Sequence, residues 1–110
     1  CDNSTFFQDC NHGSAALAVI QLGVAQGLSD DEIYRTLLAF NSYWFGPSYL
    51  ETALYFNVVK GLDWSGVDPR LVLSRTYSTA SGWHRNAHVR ASKIPGLLPK
   101  AEDDGESCGA

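Results

Sequence analysis

The feature that most constrains this chain is its punctuation by helix start and stop signals. Ser29-Asp30-Asp31-Glu32 has the form of a capping box, with Ser29 at the N-cap and Glu32 at the third helical position. Its three carboxylates lie against the positive end of the helix macrodipole. Upstream, Ser14 is placed to cap a helix over 15–26, and Gly27 stands where a left-handed C′ residue belongs. Downstream, Ser48-Tyr49-Leu50-Glu51 repeats the capping-box pattern and opens a helix to Lys60, closed by Gly61. Asp68-Pro69 reads as N-cap and first-turn proline of a fourth helix, which Gly82 is expected to break or bend. A short fifth helix over 83–92 is stopped by Pro95. No period-two strand pattern and no hairpin dipeptide is present. The expected fold is therefore all-α, a compact bundle of four to five short helices in a single domain over 1–100, with a mobile acidic tail over 101–110.

Helical spacing assigns the buried faces: Leu17, Ile20 and Val24, then Ile33, Leu37 and Phe40, then Leu50, Leu54 and Val58, with Leu71, Val72 and Tyr77 following. The 110 residues, 45% apolar and 18% charged, suit a globular domain with a modest core. A bilayer span needs about 18 apolar residues; the longest candidate, 15–25, is interrupted by Gln21 and Gly23.

Charge is strongly segregated. Arg70, Arg75, Arg85, Arg90, Lys93 and Lys100 fall in a stretch with no carboxylate, whereas residues 1–68 carry eight carboxylates against Arg35 and Lys60. The tail adds Glu102, Asp103, Asp104 and Glu106, and the net charge is −4. A cationic block is where an anionic partner would dock. Arg75, Arg85, Arg90 and Lys93 supply charge, His84 sits among them, and Trp83 offers a ring on which a base could stack. The alternative is that Trp83 plugs the core while the arginines are solvated or pair with the tail.

His84 and His88 are four apart, a spacing two metal-ligating histidines can use, but Arg85 stands where the zinc-protease motif has its Glu. Cys1, Cys10, His12 and Cys108 are ligand types for zinc, in a spacing that matches no common module. A disulfide between Cys10 and Cys108 that staples the ends is the simpler expectation, leaving one free thiol. Cys10, near a helix start with His12 close by, could instead be reactive. The cluster of Asp30, Asp31 and Glu32 is accounted for by capping. No phosphate loop, nucleophile elbow or assignable acid–base pair is present, so no catalytic constellation, metal or cofactor is expected.

Cys1 at the first position suits a lipid-anchored mature N-terminus, and Asn3-Ser4-Thr5 is formally a glycosylation sequon. The sequence holds no Met, as expected of a processed protein or of a segment cut from a longer one.

Two stretches resemble the helical domain that follows the catalytic part of some plasmid and phage primases and replication initiators, the primase C-terminal type. They are 11–17, and Gly27-Leu28-Ser29-Asp30-Asp31-Glu32-Ile33 continuing to Leu37-Leu38-Ala39-Phe40-Asn41. Pro47 matches the family's link and 48–60 its closing helix, so the similarity spans roughly 11–60 and excludes the basic block. Cys10 stands where the family has Arg, and Tyr43-Trp44-Phe45 is foreign to it. The resemblance implies an accessory module of a cytoplasmic replication protein that holds single-stranded nucleic acid or nucleotide, with the polymerising chemistry elsewhere. The competing expectation is an exported or lipid-anchored, disulfide-stapled helical protein that binds a protein partner, with Tyr43, Trp44 and Phe45 as an exposed patch.

Overall fold

The computed structural model describes Asp2 and residues 10–99. The chain is all-α, and no strand occurs among the described residues. Three helices of 15 residues come first: α1 (Asn11–Ala25), α2 (Asp30–Trp44) and α3 (Gly46–Lys60). A 3₁₀ turn (Trp64–Gly66) leads to the short helices α4 (Pro69–Val72) and α5 (Arg75–Ser78). A continuous helical run over 80–92 follows. It comprises α6 (Ala80–Trp83), a π-helical turn (His84–His88) and α7 (Val89–Ser92). The acidic tail, Lys100, Cys1, Cys108 and the Asn3 sequon lie outside the described residues.

The capping box of α2 forms as expected. The Ser29 amide donates to Glu32 Oε2 at 2.7 Å, and the Glu32 amide donates to Ser29 Oγ at 3.3 Å. Just before it, Gly27 (φ 77°) closes α1. Its N–H donates to the Val24 carbonyl and that of Leu28 to the Gly23 carbonyl, the paired bonds of a Schellman motif. The Asp68–Pro69 signal also holds, since Asp68 Oδ1 accepts the Arg70 amide at 2.9 Å.

Other boundaries differ from the sequence reading. Ser14 lies inside α1, whose N-cap is Cys10, with the Cys10 carbonyl accepting the Ser14 N–H at 3.0 Å. Cys10 carries a free thiol, so the expected staple to Cys108 is not formed in this structure. The Ser48 box does not form, because Pro47 extends α3 back to Gly46 and places Ser48 within the helix. Phe45 alone joins α2 to α3. The expected fourth helix ends at Val72. Thr79 then caps the 80–92 run through the Gly82 amide at 3.0 Å, so Gly82 is an interior helical residue and not a break.

Three buried faces are rotated from those the apolar spacing predicts. In α1 the buried residues are Gly13, Ala16 and Gly23, while Val24 is exposed; the small side chains let α2 approach closely. In α2, Ile33 and Leu37 are buried as expected, joined by Leu38 and Asn41, and Phe40 faces outward. In α3, Tyr49, Thr52, Tyr55 and Phe56 are buried, and Leu50 and Val58 are exposed. Aromatic side chains each bury about 150–250 Å², so where two apolar faces compete, the aromatic one takes the core. Thr52 is tolerated there because its hydroxyl donates to the Ser48 carbonyl at 2.8 Å. In α4, Val72 is buried and Leu71 exposed, with Leu73 completing the core.

The core therefore centres on α3. Tyr55 and Phe56 meet edge to face at 5.4 Å, and Tyr77 packs on Phe56 at 5.1 Å. Asn41 Nδ2 donates to the Tyr49 hydroxyl at 3.0 Å, tying α2 to α3 across their tight turn.

Candidate interaction surfaces

Two arginines of the basic block have partners elsewhere in the fold. Arg70 is committed to α2: its Nη1 lies 2.6 Å from Asp31 Oδ1, and its guanidinium sits 4.5 Å above the Tyr34 ring. That carboxylate holds the guanidinium pKa above its ordinary value. Arg90 donates to the hydroxyl of the fully buried Tyr55 at 3.4 Å.

The 80–92 run is anchored on both sides. Asn86 Nδ2 donates to the Thr76 and Gly82 carbonyls at 2.9 and 3.0 Å, binding it to α5. On the other side, His88 Nδ1 lies 2.8 Å from Glu51 Oε2 of α3. Trp83 is half-buried against the core, and the His88 ring lies 5.0 Å from its own. The indole Nε1 is buried without a hydrogen-bond partner in the structure. His84 stacks on His88 at 5.3 Å. Trp83 is thus partly covered, and His88 is a packing and pairing residue. The π turn widens the helix where these rings meet.

Arg75, Arg85, His84 and Lys93 remain exposed. The sequence reading missed a residue beside two of them. Asp2 Oδ1 accepts the Ser81 amide at 3.0 Å and the Ser81 hydroxyl at 2.6 Å. Those two bonds, helped by Arg75 and Arg85, hold the Asp2 carboxyl below its ordinary pKa. A lone Asp near the chain start carries no signal of such a long-range contact.

At the α1 start, His12 packs on Phe45 at 4.7 Å and on Trp44 at 5.8 Å. Trp44 and Phe45 are accordingly half-covered, and of the expected aromatic patch Tyr43 alone is fully open, at 92% exposure. Among the described residues no group of three or more His, Cys, Asp or Glu side chains could hold a metal ion. No described helix is long and apolar enough to cross a membrane.

The outer face of α3 carries an exposed apolar row. Leu50, Leu54 and Val58 follow one another at four-residue spacing and so form a single ridge. Leu50 is 63% exposed, Val58 50%, Val59 45% and Leu62 43%, with Leu54 half-buried between them. Asn57 is the polar residue beside the ridge, and Lys60 closes its C-terminal end. This stripe was legible in the sequence as a helical repeat, but its periodicity alone assigned it to the core.

No family model, no curated protein and no solved structure matches this chain.

Proposed function

We propose that this domain is a helical interaction module that docks the apolar helix of a protein partner on the outer face of α3. The exposed ridge of Leu50, Leu54 and Val58 carries the reading. Monomeric domains bury such rows when they can, and the most extended apolar patch on a monomer's surface is often functional. A straight aliphatic row at four-residue spacing is the ridge that packs into the groove of another helix. The test is a photocrosslinking amino acid placed at Leu50 or Val58 and, as a control, at Arg35, irradiated in an extract of the cells that make the protein. Adducts to a protein from the α3 positions and none from Arg35 are expected. No adduct of any kind from α3 sinks the reading.

A second reading, binding of single-stranded nucleic acid or nucleotide, is favoured by one observation: a carboxylate, that of Asp2, is drawn to Ser81 beside Arg75 and Arg85. The resemblance of 11–60 to replication-protein helical domains supports it. An oligonucleotide would engage Arg75, Arg85, His84 and Lys93 with an affinity falling steeply with salt. Asp2→Asn should tighten that binding by removing an internal competitor. Fluorescence anisotropy that detects no complex at low salt, with or without Asp2, refutes it.

A further inference from the structure

We propose that His84 and His88 together chelate a divalent late transition-metal ion, with Glu51 as the residue that positions His88 for it. The site lies on the 80–92 run and is independent of the docking reading.

The spacing of the two rings comes first. The π-helical turn begins at His84 and ends at His88, and turns of this kind recur at functional sites. The two ring centroids lie 5.3 Å apart, with 28° between the planes. Two imidazoles on one ion, with metal–nitrogen bonds of about 2.0–2.1 Å, have centroids about 4.5–5.5 Å apart. The pair thus stands at chelating distance, and the exposed His84 ring can turn to complete the bite.

The second observation is the state of the His88 ring. A carboxylate only accepts hydrogen bonds, so the 2.8 Å contact with Glu51 Oε2 places a proton on Nδ1. In the neutral ring the lone pair is then on Nε2, the nitrogen left for a metal. Metal-binding histidines are commonly held this way, because a carboxylate on the other ring nitrogen fixes the tautomer and raises the basicity of the ligand. Trp83, 5.0 Å from His88 ring to ring, restrains the same imidazole. The His88 side chain nevertheless keeps 30% of its surface exposed, so an ion can reach it from solvent.

Charge and donor type set the kind of ion. Arg85 adjoins His84 and opposes a cation, but the carboxylates of Glu51 and of Asp2, on which Arg85 acts, offset it. No group of three or more ligating side chains occurs among the described residues, so water fills the remaining positions. Two imidazole nitrogens suit nickel, copper and zinc, whereas magnesium and calcium take oxygen ligands.

The test is an NMR titration of the full chain with Ni(II) at about pH 7.5, where an ordinary imidazole is neutral. Ni(II) is paramagnetic, so the broadening it causes reports where it sits. The ring protons of His84 and His88 should broaden together, and EDTA should restore them. His84→Ala should abolish the broadening at His88 at the same Ni(II) concentration. His84→Phe, which keeps a ring against His88 but no nitrogen donor, should do the same. Glu51→Gln should weaken Ni(II) binding about 10–100-fold. No broadening at either ring overturns the proposal, as does broadening confined to His12 or the cysteines. Broadening of His88 that survives both His84 variants shows a single-histidine contact and overturns the chelate. An affinity unchanged in Glu51→Gln overturns the role given to that carboxylate.

Discussion

Gly82→Ala isolates what holds the 80–92 helix in place. On helix propensity alone the change should stabilise, since alanine is better than glycine in a helix interior by about 1 kcal/mol. The surroundings reverse the sign. A Cβ at position 82 would overlap the Arg75 carbonyl oxygen and lie 2.6 Å from both the Thr76 carbonyl oxygen and Thr79 Oγ1. Two of these atoms are backbone, so no rotamer change relieves the clash. Moving α5 away also strains the bond from Asn86 Nδ2 to the Thr76 carbonyl and that from Thr79 Oγ1 to the Arg75 carbonyl. Overpacking of this kind costs about 1–3 kcal/mol, and losing the Thr79 cap on the Gly82 amide costs about 0.5–2 kcal/mol. Against the propensity gain, the net is a loss of about 0.5–4 kcal/mol, with a midpoint of about 2. For a domain of this size a loss of about 2 kcal/mol lowers Tm by about 8–16 °C. Gly66→Ala is the control: apart from its chain neighbours its Cβ meets nothing within 4 Å and its φ is not positive, so it should stabilise by about 0.4–1 kcal/mol. Thermal and urea unfolding followed at 222 nm read both. A Gly82→Ala protein as stable as the parent would mean that the 80–92 helix does not rest on the α5 backbone as described.

Three further expectations are simpler. Ser29→Ala removes the acceptor for the Glu32 amide and should cost about 0.5–2 kcal/mol in a urea melt; an unchanged midpoint would show that α2 is not held by its box. Burial pushes the Tyr49 hydroxyl up to about 12, against the opposing effect of its bond with Asn41. The unfolded chain ionises this group near pH 10, so its contribution is complete below that pH and disappears as the pH rises through about 12. Wild type should therefore lose on the order of 2 kcal/mol more than Tyr49→Phe between pH 9.5 and 12, and equal losses in denaturant melts would refute the assignment. Glu51→Gln removes the carboxylate 2.8 Å from His88 Nδ1 and should cost about 0.2–1 kcal/mol in a urea melt; a stability equal to the parent's would show that this pair does not tie the 80–92 run to α3.

The all-α class and about half of the element boundaries were legible in the residues themselves, because caps and stops are local chemistry. Ser29 with Glu32, Gly27, Gly61 and Asp68 with Pro69 act within a few residues of where they stand, and each does in the fold what its type and spacing dictate. The orientation of each helix was not legible. The apolar residues of α3 fall on two faces, Leu50, Leu54 and Val58 on one and Tyr49, Tyr55 and Phe56 on the other, and periodicity weighs both alike. The choice was made by what α2 and the 80–92 run present to α3, where the aromatic face buries more area and its one polar member, Thr52, is satisfied by its own helix.

Gly82 is the same lesson in reverse. As a residue type it reads as a helix breaker, yet close approach of the α5 backbone makes it the only side chain that fits. The candidate surfaces divide likewise. The charge segregation is a property of the sequence, but that Arg70 is used by Asp31, Arg90 by Tyr55 and His88 by Glu51 was settled by contacts over 39, 35 and 37 residues. Such pairings depend on how the chain folds back on itself, and no local pattern encodes them.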